Sequence, residues 1–179
     1  MRSRRLAIAA SSAILPALSL VACGSSGDGE EGQTYSGDGY SFTAPSGFED
    51  ATEEVKKSSP QVEVAFRSDD KVDEFSTNFN VVHGSQQKIG MKRLQRSMSA
   101  QVAGMADKPP EAFDRFKIDG ESAIGQSFTG EQGGVDVAFR QYAAFHSKEL
   151  FVITVTSHVD EAGSAESHIG NVLDSWSWE

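Results

Sequence analysis

At 179 residues the chain has room for one domain of ordinary size, large enough to bury a core without disulfide or metal staples. All 26 acidic residues follow position 22 while Arg2, Arg4 and Arg5 precede it, so the part beyond keeps 13 basic side chains and a formal charge of −13. That balance argues against a nucleic-acid partner or a broad electrostatic contact with anionic lipid, and the single cysteine, Cys23, excludes an intrachain disulfide.

Residues 1–22 read as a secretory signal, with a basic start followed by an apolar run from Leu6 to Val21 that contains Pro16. The run is too short and too interrupted for a permanent transmembrane helix. The tetrapeptide Leu20-Val21-Ala22-Cys23 resembles the bacterial lipobox, which implies a diacylglyceryl group on the Cys23 sulfur and cleavage after Ala22. Two buried acyl chains, at about 0.8 kcal/mol per methylene, give durable attachment where one chain gives only reversible binding. Ser3-Arg4-Arg5-Leu6 matches only the start of a twin-arginine motif, so Sec and twin-arginine export both stay open. From Gly24 to Gln33 the composition is Gly, Ser, Asp, Glu and Gln, which cannot bury surface, so residues 23–34 read as a flexible acidic tether.

Residues 35–179 are expected to form the single globular domain. Tyr40, Phe42 and Ala44 alternate before Pro45 ends a short strand. Val62, Val64 and Phe66 alternate next, then Phe75, Thr77, Phe79 and Val81, a spacing that suits an antiparallel pair. The period changes between Gln86 and Ala106: Met91, Leu94, Met98, Val102 and Met105 fall on one helical face, and Pro109-Pro110 excludes further helix. A four-stranded meander follows, from Phe116–Ile118 through Ile124–Thr129 and Val135–Phe145 to Phe151–Thr156. Leu150 to Val155 is apolar on both faces and reads as a central strand covered on each side. A closing helix is signalled from Asp160 as its N-cap, with Ala165, Ile169, Val172 and Trp176 along one stripe. These elements predict an α+β domain, a largely antiparallel sheet of about six to seven strands flanked by helices.

The segment Tyr40-Ser-Phe-Thr-Ala-Pro-Ser-Gly-Phe48, the hairpin Val135–Thr156 with Phe151-Val-Ile-Thr-Val-Thr156, the final helix and the lipobox together resemble the PsbP-like/Mog1-like superfamily, and within it the small actinobacterial lipoproteins of the LpqN type. The resemblance covers about residues 35–179 and is one of layout. It implies an α/β/α sandwich with no shared catalytic site, in a superfamily whose members mostly serve as accessory or binding proteins. Such an analogy does not by itself transfer a function.

The chemistry-bearing residues form no recognisable constellation along the chain. His83, His146, His158 and His168 lack the spacing of a zinc site and read as surface or strand-end residues. Asp69, Asp70, Asp73 and Glu74 lack the order of a calcium loop and read as a solvated connection. Glu111, Asp114, Asp119 and Glu121 are placed on solvent-facing edges, and Gly130, Gly133 and Gly134 in a hairpin turn rather than a phosphate cradle. Met91, Met98 and Met105 recur every seven residues and read as core packing, with a soft ligand groove as the alternative. Trp176 and Trp178 cannot share a helical face, so one is expected to be exposed.

The chain is therefore expected to be a monomeric, exported lipoprotein on the outer face of the cell membrane, held through Cys23, with a non-enzymatic binding domain. No cofactor, metal or catalytic residue is expected, and the ligand is an envelope protein or lipid. Two other readings stay open: a lipid carrier with an apolar cavity between sheet and helix, and an envelope hydrolase in which a histidine and a carboxylate converge.

Overall fold

The structure is a computed structural model that describes residues 32–85 and 88–179. The signal, the lipobox and Cys23 lie outside the described residues.

Among the described residues, two sheets and three α-helices make up the domain. The opening segment divides at its turn: Pro45 cannot donate to a ladder, Gly47 takes a positive φ of 73°, and the strands on either side enter different sheets. Before the turn, β2 (Tyr40–Thr43) is the middle strand of a small sheet, between β1 (Thr34–Ser36) and β11 (Ser177–Trp178). Thr34, placed at the end of the tether by composition, pairs with Thr43 of β2. Composition carries no information about a ladder partner, so β1 was not foreseen.

After the turn, β3 (Phe48–Asp50) starts the main sheet, joined by β4 (Val64–Ser68), β5 (Asn78–Ser85), β6 (Glu111–Ala112), β7 (Phe116–Ile118), β8 (Glu121–Gln132), β9 (Val135–His146) and β10 (Glu149–His158). Its order is β3-β4-β5-β10-β9-β8-β6, with β7 also on β8, and every pairing is antiparallel. The count of eight exceeds the expected six to seven because β3 and β6 are too short to show a period.

β10 lies in the centre, as its two apolar faces required. Phe151, Ile153 and Val155 join the core under α3 (Ala162–Asp174), while Leu150 and Val152 meet Leu94 and Met98 of α2 (Met91–Val102) on the opposite face. A five-residue α1 (Thr52–Lys56) shares the α2 side and lies over β4, where the Ala65 amide donates to Thr52 Oγ1 at 3.0 Å. The result is three layers, helices on both sides of one sheet.

Between the sheet and α3 the space is filled by rings: Trp176 stacks on Tyr40 at 4.6 Å and on Phe42 at 5.5 Å, and Phe66 on Phe79 at 5.3 Å. Three expectations about residues need correction. Met105 lies beyond the end of α2 and is 49 % exposed, because the chain turns there to bond Asp107 to the Thr129 carbonyl. Asp160 is not the N-cap of the last helix: it lies in a short 3-10 turn, Val159–Glu161, capped by His158, whose Nδ1 accepts from the Asp160 amide at 3.2 Å, and Glu161 holds the N-cap position of α3. Neither tryptophan is exposed: Trp176 is buried, and Trp178, in β11 rather than a helix, is half-buried with its Nε1 donating to the Ile118 carbonyl at 2.9 Å.

Candidate functional site

The four histidines do not behave alike. His168 is half-buried against Phe48, and His146 lies under the Trp178 ring at 4.8 Å with its Nδ1 3.5 Å from Glu121. His158 is the buried cap already described. His83, expected at the surface or a strand end, lies inward, its side chain only 16 % exposed and flat on Phe151 at 5.0 Å. Its Nε2 is 2.9 Å from Glu63 and its Nδ1 is 2.8 Å from Glu149. Glu63 also accepts from the Tyr40 hydroxyl at 2.8 Å and the Asp38 amide at 3.1 Å, and Glu149 from Ser85 Oγ at 3.3 Å.

A histidine and carboxylates thus converge, through long-range pairing that local spacing could not show. The chemistry of the arrangement is that of a brace. Both ring nitrogens are already directed at carboxylates, so neither is open to a substrate. The carboxylates lie on opposite sides of the ring instead of facing a common point, and among the described residues no group of His, Asp, Glu or Cys is arranged to hold a metal ion. Burial and the Glu63 partner push the Tyr40 phenol far above its ordinary value of 10, so it stays a neutral donor.

A hollow lies elsewhere, on the side of the sheet that carries α1 and α2. The two helices cover its flanks and leave the middle open, a cleft of about 430 Å3. Val55 of α1 and Ser58, just beyond it, form one wall, Phe139 and Gln132 the opposite one. The floor belongs to the two central strands, whose alternation turns Asn78 and Asn80 of β5 and Thr154 and Thr156 of β10 to this side while Phe79, Val81, Ile153 and Val155 face the α3 core. The register sets Asn80 beside Thr154 and Asn78 beside Thr156.

Under α2 the same face carries a buried polar chain that ends in the cleft. Gln126 is fully buried; its Oε1 accepts from Ser99 Oγ at 2.8 Å and Gln95 Nε2 at 3.2 Å, and its Nε2 donates to Gln141 Oε1 at 2.9 Å. Gln141 in turn donates to Thr154 Oγ1 at 3.4 Å. The sequence reading missed these residues. The available signal was polar side chains at the inward positions of strands otherwise rich in Val, Ile and Phe, which marks a face that is buried yet not dry.

The remaining expectations fall as follows. Asp69, Asp70, Asp73 and Glu74 are exposed, as are Glu111, Asp114 and Asp119, whose carboxylate accepts from the Trp178 amide at 2.8 Å; Glu121 is half-buried beside His146. Met98 is buried and Met91 half-buried against the sheet. Gly133 and Gly134 form the β8–β9 turn with positive φ. Among the described residues no helix is long and apolar enough to cross a membrane.

No protein-family model matches the chain, and no curated protein matches it. Solved structures do. The cyanobacterial PsbP of Synechocystis superposes with a TM-score of 0.59 at 20 % identity, over 89 % of this chain and 99 % of that one. LpqN of Mycobacterium tuberculosis, a protein involved in cell envelope biogenesis, gives 0.57 at 8 % identity over 84 % and 86 %. A Bacteroides thetaiotaomicron protein gives 0.57 at 13 % identity over 83 % of this chain and 49 % of that one. The domain is PsbP-like in fold, and at these identities the likeness is one of fold.

Proposed function

We propose that the chain is an exported lipoprotein of the cell envelope, held on the outer face of the membrane through lipid on Cys23, whose PsbP-like domain binds a ligand without transforming it. The observation that carries the binding role is the 430 Å3 cleft over β5 and β10, where polar side chains converge without an acid–base pair or an activated nucleophile beside them. The envelope setting is supported by the lipobox and by the likeness of fold to LpqN. An LpqN-type accessory role fits both. The filled space between sheet and α3 weighs against a carrier that encloses an acyl chain there.

Attachment is tested by Cys23→Ser in the full chain. The unchanged chain should take up labelled palmitate and sediment with membranes, while the variant should do neither; equal sedimentation of both would refute the anchor. The binding role is tested by incubating the full chain with an envelope extract. Ligand recovered chemically unchanged supports it, and turnover abolished by changing one side chain overturns it in favour of an envelope hydrolase.

A further inference from the structure

We infer that the cleft over β5 and β10 takes a neutral polyhydroxylated ligand, of the size of one or two sugar rings; this assignment rests on the reading of the domain as a binding module. Five positions stand in register across the sheet: Ala65 of β4, Asn80 of β5, Thr154 of β10, Gln141 of β9 and Gln126 of β8. Three of them are wired together from beneath α2, each amide donating to the next acceptor. Because the Thr154 hydroxyl accepts from Gln141, its own proton is left to donate toward the cleft. Asn80 stands next in the row and brings both an amide donor and a carbonyl acceptor, and it has no side-chain hydrogen bond among the described residues. A floor that offers donors and acceptors in alternation matches hydroxyl groups, each of which does both.

The other ligand classes fit less well. Arg67, the charged side chain on the lining, is already taken up by Glu49 at 2.7 Å and Glu54 at 3.2 Å, so it is not free to hold an anion, and those two carboxylates lie outside the lining, so none is offered to a cation. An acyl chain would displace water from Asn80, Thr154 and Thr156 and leave them unpaired. An extended peptide is recognised through backbone bonds at a sheet edge, and here the floor strands are internal, with β5 bonded to β4 and β10, and β10 to β9. Val55, Val62 and Phe139 supply apolar surface for the C–H faces of a ring. A cleft of about 430 Å3 lies toward the small end of ligand pockets, about 300–1,000 Å3, which suits one or two rings.

The test is a titration of the full chain in detergent micelles, isotopically labelled, with glucose, N-acetylglucosamine and maltose, and in parallel with decanoate and with a neutral tripeptide, following the side-chain amide signals of Asn78, Asn80 and Gln141. A saccharide should shift these signals saturably, and Asn80→Ala and Thr154→Val should each weaken binding about tenfold, the loss of one good hydrogen bond, while the thermal midpoint of Asn80→Ala without sugar stays close to the parent's. Shifts produced by decanoate or the tripeptide and by no saccharide would overturn the ligand class and keep the cleft as the binding site. Silence of these amides to every probe, or saccharide shifts untouched by both variants, would overturn the cleft itself.

Discussion

The Tyr40 ring lies flat on the Trp176 indole, centroids 4.6 Å apart and planes 4° from parallel, and the two come from the small sheet and from the turn that ends α3. The pair joins the layer above the main sheet into one block. Trp176→Ala should therefore cost about 3–5 kcal/mol, the range for deleting a buried large aromatic, and should lower the urea midpoint of the whole domain. A separate early transition confined to the small sheet would show that the block is not cooperative.

Alkaline pH should unfold the domain through its tyrosines. Burial raises the phenols of Tyr35, Tyr40 and Tyr142 above 10, and Glu63 pushes Tyr40 further in the same direction. A raised native value favours the protonated form, so this contribution to stability is complete below the unfolded value of about 10 and is lost as pH climbs above it toward the native values. Phenolate absorbance from Tyr40 should appear together with loss of far-ultraviolet circular dichroism. Ionisation of all three tyrosines in a chain that keeps its native dichroism would refute this.

His83 separates two carboxylates that are themselves mostly buried, with side-chain exposures of 19 % for Glu63 and 32 % for Glu149. His83→Ala should destabilise by roughly 1–3 kcal/mol, less than the 3–5 kcal/mol of a fully buried pair because water reaches part of the cluster. Adding Glu149→Gln should then recover part of the loss. A double variant no more stable than His83→Ala would mean that packing on Phe151, and not charge, accounts for the effect.

The β9–β10 turn can be improved. Ser147 and Lys148 both hold positive φ, 45° and 72°, where a two-residue hairpin favours Asn-Gly. Lys148→Gly should stabilise by up to about 1 kcal/mol, measured as a rise in the thermal midpoint, since glycine adopts this conformation without steric cost. A fall in the midpoint would show that the entropy lost by glycine outweighs the strain relieved.

Much of the fold could be read from local pattern, and the limits of that reading follow from physics. Alternation in β4, β5 and the meander β7–β10 fixed which side of each strand is apolar, and the double-faced β10 announced its central place. Period alone could not say that the segment 40–48 serves two sheets, because the choice depends on the partners of Tyr40 and Phe48 and not on those residues. The cleft escaped for the same reason. Asn80, Thr154, Gln141 and Gln126 lie in four strands and become a row only through register. His83 likewise gains its carboxylates from positions 20 residues before it and 66 after it.

The cleft is built from unequal parts. Its floor lies on strands bonded on both sides in the middle of the sheet, where amides exchange with solvent only when the domain opens extensively. One wall is α1, five residues with none buried, the kind of element that frays at little cost. Affinity would then reside in a template that holds its shape, while the speed of entry and escape would follow the motion of a soft flank. Substitutions along α1 could quicken or slow exchange of a ligand without altering which ligand is chosen.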